Sequence, residues 1–463
     1  MRVHAPRIIV AATRSGAGKT TVTCGLLRAL VGRGLRVQAA KCGPDYLDPL
    51  FHQEVLGTPS RNLDLFLGNA ALARQLVAEG ARHAELTLVE GVMGYYDGIA
   101  CSHRASTYDV ACALNAPVVL VVDARGRALS VAAEVVGFMQ LRQPSHIAGV
   151  VLNHVSESYY PLLKEAVERE TGVCVLGYVP HLSEAELPSR HLGLVAPAEI
   201  ADLRQKLDSV AAKLSRTIDL DKLIRIAITA EDLEVEPWED PSSQTPHDRP
   251  IVAVARDAAF AFYYTDALAL LERLGAQLAF FSPLEDEALP KGTSGLYLGG
   301  GYPELHAKQL SKNAPMLECV RAAVRDGMPT IAECGGFMYL QESLEDDHGT
   351  SWPMVGALEG RSFGKSRLVR FGYVSLEAQQ DGLLANRGNT LCAHEFHYWD
   401  STAPGKAFCA QKPQSERGWI TGVHTRTLYA GYPHLYLPAH QEAARRFVDA
   451  CTAFATSFGR RAQ

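Results

Sequence analysis

The stretch from Ile8 to Leu30 constrains this chain more than any other. Five apolar residues, Ile8 to Ala12, run into Thr13-Arg14-Ser15-Gly16-Ala17-Gly18-Lys19-Thr20-Thr21, and Val22 to Leu30 then reads as a helix. Strand, glycine-rich loop and helix in that order make a phosphate cradle. Small residues let backbone N–H groups close on phosphate oxygens, and the helix N-terminus adds its positive dipole end. Lys19 reaches the outer phosphates and Thr20 can hold Mg²⁺. Ser15, Gly16, Gly18, Lys19, Thr20 and Thr21 are therefore the expected nucleotide-binding residues. Thr13 stands where the strict motif has its first glycine.

Beyond the loop, short apolar runs alternate with helical patterns: Val37 to Ala40, Leu86 to Val89, Val118 to Val122, Ile147 to Leu152 and Val173 to Val179. Near-continuous Val/Ile/Leu runs are what parallel strands covered on both faces require, so a doubly wound α/β sheet is expected. The regime breaks where six acidic residues fall within positions 231 to 240 and Pro241-Ser242-Ser243-Gln244-Thr245-Pro246 follows. The expected organisation is a phosphate-loop domain over 1–235, a linker over 236–249 and a second α/β domain over 250–450. In the latter, strand signals recur at Ile251 to Ala255, Gln277 to Phe281 and Gly295 to Leu298, with an amphipathic stretch around Phe260 to Leu274.

The balance of 45 basic and 51 acidic residues, a formal charge of -6, supplies no basic field for nucleic acid or anionic membrane. No apolar run approaches the roughly 18 residues of a membrane span. Ten cysteines without a C-x-x-C pair fit a reducing compartment, so a cytoplasmic enzyme is expected. The sequence is compatible with a homodimer and does not set the oligomeric state.

Nucleotide chemistry needs carboxylates at strand ends facing the loop. Glu90 closes the Leu86 to Val89 strand, and Asp45 and Asp48 follow the second strand in Lys41-Cys42-Gly43-Pro44-Asp45-Tyr46-Leu47-Asp48-Pro49. With Thr20, these are the expected metal ligands. A turn-forming Asp after Gly-Pro accounts for Asp45 equally well.

Lys41 to Pro49, Val89-Glu90-Gly91-Val92-Met93-Gly94-Tyr95-Tyr96-Asp97-Gly98 and Pro188-Ser189-Arg190-His191-Leu192-Gly193-Leu194 resemble three motifs of the cobyrinate a,c-diamide synthases. The phosphate loop is similar to that of dethiobiotin synthetase and the MinD-like ATPases. The resemblance covers nearly the whole chain. It implies that ATP phosphorylates a peripheral carboxylate of a corrin-type macrocycle and that ammonia displaces the phosphate, first at the c and then at the a acetate. It also implies that Tyr46, Leu47 and Asp97 line the macrocycle site, with Arg190 and His191 as further candidates. Asn153 stands where related enzymes read adenine, and an ordinary Asn turn explains it as well. Close relatives act on hydrogenobyrinate or nickel sirohydrochlorin, and the sequence does not separate these substrates.

In the second domain, Pro329-Thr330-Ile331-Ala332-Glu333-Cys334-Gly335-Gly336-Phe337 carries a strand into a cysteine and then a helical stretch. A thiol at such a turn is exposed to substrate, and the helix N-terminus favours its thiolate. Gly299-Gly300-Gly301-Tyr302-Pro303-Glu304 resembles the oxyanion loop of class I glutamine amidotransferases, with Gly300 and Gly301 facing the tetrahedral oxygen. By the same resemblance His434 is the base for Cys334. Many class I glutaminases orient that histidine with a Glu two residues on, but here Tyr436 stands there. His394-Glu395-Phe396-His397 is H-E-x-H, so a pocket wall is expected there in preference to a metal site. A rival reading from another class is a MinD-like ATPase switch carrying a degenerate glutaminase module with an inert Cys334.

Overall fold

The apolar runs of the first half form a parallel sheet in the computed structural model, which describes residues 1–182, 197–236 and 249–461. Its strands are β1 (Arg7–Ala12), β2 (Val37–Cys42), β3 (Ser60–Leu63), β4 (Leu86–Glu90), β5 (Val118–Asp123), β6 (Ile147–Asn153) and β7 (Val175–Val179). Among the described residues their order is β3-β2-β4-β1-β5-β6-β7, and every pairing is parallel. All six residues of central β1 are buried, as a sheet with both faces covered demands. Helix α1 (Lys19–Gly32) covers one face. Its Leu26, Leu27 and Leu30 share a core with Leu207, Val210 and Leu214 of α3 (Pro197–Thr217); α2 (Leu47–Glu54) lies between them in the chain. Burying each such leucine contributes roughly 1.5–3 kcal/mol.

Strand β3 has no counterpart in the sequence reading. Its Ser-Arg-Asn-Leu lies at one edge of the sheet and lacks the apolar run that marks the other strands. Part of the acidic stretch is also ordered, since Leu233–Glu234 pairs antiparallel with Arg2–Val3. Positions 237–248 lie outside the described residues. By contact, the chain divides into two units, Met1–Trp238 and Glu239–Gln463.

The second unit holds two larger sheets. The first contains β8 (Ile251–Ala255), β9 (Gln277–Phe281), β10 (Thr293–Leu298), β11 (Thr330–Glu333), β16 (Val423–His424) and β17 (Leu428–Gly431), in the order β9-β8-β10-β11-β17-β16. The β16–β17 pairing is antiparallel and the others are parallel. The other sheet is antiparallel and orders β12 (Arg370–Ala378), β13 (Thr390–His397), β14 (Phe408–Gln411), β15 (Gly418–Thr421) and β18 (His434–Leu435) as β15-β14-β12-β13-β18.

The amphipathic stretch from Phe260 is not one helix. Phe260–Phe262 pairs with Gly300–Gly301, and α4 (Thr265–Arg273) begins only afterwards. Aromatic residues suit a strand, and the pairing holds the glycine loop in place. The short α5 (Gly335–Leu340) follows β11, and α6 (Gln441–Arg461) closes the chain.

Candidate functional site

In the first unit, β1 ends at Ala12 and the chain turns through the glycine loop into α1. Gly16 and Gly18 take φ of 75° and 91°, a region that a side chain enters only with strain. A Cβ on Gly18 would also lie 2.2 Å from Nδ2 of Asn153. That amide donates to Ala17 O at 2.9 Å, and its Oδ1 accepts from His154 N at 2.9 Å. Both ends of Asn153 are thus engaged, and the side chain braces the loop from the end of β6. Lys19 is nearly buried and its Nζ donates to Met93 O at 3.3 Å. Burial, then the nearby Lys41 charge, lowers its pKa.

Glu90, fully buried at the end of β4, is the hub of the polar network. Its Oε1 accepts from Thr20 Oγ1 at 2.6 Å and from Lys41 Nζ at 2.9 Å, and its Oε2 lies 3.3 Å from His52 Nε2. Lys41 also pairs with Asp48. Burial works against the Lys41 ammonium, but Glu90, Asp48 and Asp45 together hold it well above its ordinary range. Burial likewise opposes the Glu90 charge, and Lys41, His52 and Thr20 outweigh it, so Glu90 is held well below the usual carboxylate range. Asp48 moves the other way, up to about 6, through burial and the neighbouring Glu90. Asp45 Oδ1 accepts from the backbone N–H groups of Leu47 and Asp48 at 2.8 and 3.3 Å, starting α2.

Thr20 thus touches Glu90, Lys41 links Glu90 to Asp48, and Asp45 stands near the Lys41 charge. The oxygens of Thr20, Glu90, Asp48 and Asp45 are hard donors of the kind Mg²⁺ accepts, with phosphate oxygens and water completing the shell. Among the described residues no group of three or more His, Cys, Asp or Glu side chains is arranged to hold a metal ion. Tyr46 and Leu47 are half-buried at the start of α2. Asp97 Oδ2 accepts from Gly94 N at 3.0 Å, which folds the loop carrying Met93 toward Lys19. Arg190 and His191 lie outside the described residues.

Two participants were missed. Lys41 stood only as the first residue of the motif after the second strand, whereas the structure places it inside β2, where a buried lysine needs a partner. His52 sits four residues after Asp48 on α2, a spacing that places both on one helix face.

In the second unit, Cys334 occupies the turn between β11 and α5 with φ 50° and ψ −98°. Strain of this kind in a non-glycine residue persists only where the surroundings enforce it. Cys334 N donates to Gly431 O at 2.7 Å, tying the turn to the end of β17. A Cβ on Gly335 would lie 3.2 Å from Gly301 N, and one on Gly300 would lie 2.5 Å from Cε1 of His434. The glycine loop is thus wedged between the cysteine turn and the imidazole. Burial, then Glu304, raises the Cys334 thiol well above its ordinary pKa, with the Gly335 N–H acting the other way. A thiol so placed rests protonated and needs a base. His434 is buried at the start of β18, with Nδ1 3.8 Å from Glu333 Oε2. Tyr436 packs edge-on against Tyr264, ring centroids 5.0 Å apart.

His397 lies flat on Tyr432, ring centroids 3.9 Å apart, and its Nδ1 bonds Trp399 O at 2.6 Å. Burial holds His394 down to about 3 and His397 to about 4, so both are neutral near pH 7. In this segment Glu395 and His397 are buried and Phe396 is exposed.

Glu304 is buried with Oε2 lacking a hydrogen-bond partner, and burial pushes its carboxyl up to about 8. In the unfolded chain it ionises near the usual ~4.3. Between those values the folded protein binds more protons, so its stability falls as pH rises toward 8. Glu304→Gln, always neutral, is expected to lack this loss. Wild type should lose roughly 3 kcal/mol relative to the variant between about pH 5 and 8. Urea unfolding at both pH values checks this, and parallel curves would show an ionised, paired Glu304.

Comparison with known proteins adds two family models. One, described as the CobQ/CobB/MinD/ParA nucleotide binding domain, matches residues 8–195. The other, a CobB/CobQ-like glutamine amidotransferase domain, matches residues 251–442. The cobyrinate a,c-diamide synthase of Caldanaerobacter subterraneus subsp. tengcongensis is 40% identical over 449 residues, covering 96% of this chain and 98% of that protein. The Salmonella typhimurium protein of the same name is 41% identical, covering 97% of this chain and 98% of its own length. That of Listeria monocytogenes serotype 4b is 41% identical, covering 93% and 96%.

Proposed function

This chain belongs to the cobyrinate a,c-diamide synthase family, and from that premise we propose that it amidates the a and c acetates of cobyrinate with glutamine and ATP. The observation that supports the reading best is that one chain holds both halves of the chemistry. A phosphate loop with a buried carboxylate hub and a strained cysteine turn each lie at the carboxyl end of a strand paired in parallel on both sides.

A carboxylate resists ammonia because its carbonyl is deactivated and oxide is a poor leaving group. In the first unit a carboxylate oxygen of the substrate bonds to the γ-phosphorus of ATP and ADP leaves. Ammonia then adds to the acyl carbon, and phosphate departs with the C–O electrons and takes up the proton that nitrogen gives up, leaving the amide. The protein's work is positioning and charge neutralisation. Lys19 meets the outer phosphates, and Lys41 offsets Glu90 and Asp48. Mg²⁺, held by Thr20 and Asp48 with Glu90 behind them, would neutralise the transferred phosphoryl group. Tyr46, Leu47 and Asp97 border the macrocycle, and the braced loop beside Asn153 receives the nucleotide.

In the second unit His434 takes the Cys334 proton as sulfur bonds to the glutamine carboxamide carbon. The N–H groups of the Gly300–Gly301 loop stabilise the oxyanion. Collapse breaks the C–N bond, ammonia leaves with the proton from His434, and water releases glutamate from the thioester. No helix among the described residues is long and apolar enough to cross a membrane. Among the described residues no cysteine stands in a disulfide, in keeping with the reducing, cytoplasmic setting we propose.

Mass spectrometry tests the reading. Cobyrinate incubated with ATP, Mg²⁺ and glutamine is expected to gain two amides. Conversion of hydrogenobyrinate or nickel sirohydrochlorin alone would reassign the macrocycle, and conversion of none would overturn the ligase reading. A chloroketone analogue of glutamine should label Cys334, and an unlabelled Cys334 favours the ATPase-switch reading.

A further inference from the structure

We infer that Glu333, the residue immediately before the cysteine, is the positioning residue that orients His434. The inference rests on the glutaminase reading of Cys334 and His434 and deepens it. An imidazole that must accept a proton at Nε2 needs its Nδ1–H held, and usually a carboxylate does this. Tyr436, two residues after His434, has no carboxylate, and its ring is packed against Tyr264.

Glu333 comes from the opposite side, at the end of β11. Its Oε2 lies 3.8 Å from His434 Nδ1, and the two side chains are 2% and 4% exposed. Two donors fix the carboxylate. Leu435 N donates to Oε1 at 2.8 Å and Tyr297 OH donates to Oε2 at 3.1 Å. Burial, and then Glu333 itself, pushes the Tyr297 phenol well up, so this donor keeps its proton. Because Leu435 follows His434, one carboxylate grips the strand that carries the imidazole and faces the ring as well. From the other side, Gly300 admits the ring by having no Cβ, which would stand 2.5 Å from Cε1. Contact at 3.8 Å is longer than a hydrogen bond, and such catalytic contacts tighten when substrate is seated.

The arrangement places two successive residues on one reaction. Cys334 leaves the strand direction at φ 50°, directly after Glu333 closes β11, so the thiol and the carboxylate come from adjacent residues of one turn. As His434 accepts the thiol proton, Glu333 stabilises the imidazolium without itself being protonated.

Glu333→Gln is the direct test. Its amide keeps an acceptor for Leu435 N but presents an N–H toward Nδ1, which favours the Nε2–H tautomer that cannot accept the thiol proton. The expected result in the full-length protein is a fall of about 100-fold or more in kcat for glutamine hydrolysis, with KM for glutamine unchanged. Amidation driven by ammonium salts should be unaffected, and Glu333→Asp should recover part of the loss. A Glu333→Gln enzyme with wild-type kcat, or a loss carried by KM, would overturn the inference. Should Glu333→Gln fail to fold, as judged by thermal unfolding, Tyr297→Phe takes its place. That variant removes the donor to Oε2 and is expected to lower kcat by about threefold to tenfold, and an unchanged kcat overturns the inference. A wild-type protein without glutaminase activity fails the functional reading itself, so the two failures are distinct.

Discussion

Replacing Cys334 with alanine is expected to abolish glutamine-driven amidation, by about 10³-fold or more, while amidation fed by ammonium salts continues. The sulfur is the atom that bonds to the carboxamide carbon, and nothing else in the turn can replace it. His434 with an ordered water would be a far weaker nucleophile. Alanine enters the positive-φ turn at a cost similar to that of cysteine, and the thiol is small, so the fold should survive. Product formation measured with each nitrogen source checks the prediction. Loss of both activities in a folded variant would count against separate sites for ammonia production and ammonia use.

Lys19→Ala is expected to have the complementary effect. Amidation should fall by about 10²–10³-fold or more with either nitrogen source, because an ammonium aimed at developing phosphoryl charge is worth roughly 3–4 kcal/mol in a water-poor site. Glutamine hydrolysis at Cys334 should continue. Lys19→Arg is not expected to rescue, since a planar guanidinium does not fit a nearly buried position shaped for a point charge. An unchanged amidation rate in Lys19→Ala would overturn the assignment of the loop.

Much of the site was legible because its requirements are local. Gly16 and Gly18 precede Lys19 since the turn needs positive φ, and Glu90 is the acidic residue that closes an apolar strand beside that loop. The second unit was less legible. In its antiparallel sheet β12 to β15 mix exposed and buried residues and β18 has only two residues, with no continuous apolar run to mark it. The Phe260 segment was absorbed into one amphipathic stretch because an aromatic strand of three residues is too short to show a period.

By itself the sequence determined two α/β halves, a phosphate loop before a helix and a cysteine after a strand, since alternation, glycine demand and motif order are all written along the chain. Only the tertiary structure decided which charges share a partner. Lys41 joins Glu90 because β2 and β4 are neighbours in the sheet, 49 residues apart in sequence. Glu333 reaches the strand of His434 across 102 residues because β18 returns beside the end of β11. Strand order sets those encounters, and buried charges must be paired at whatever distance along the chain their partners come from.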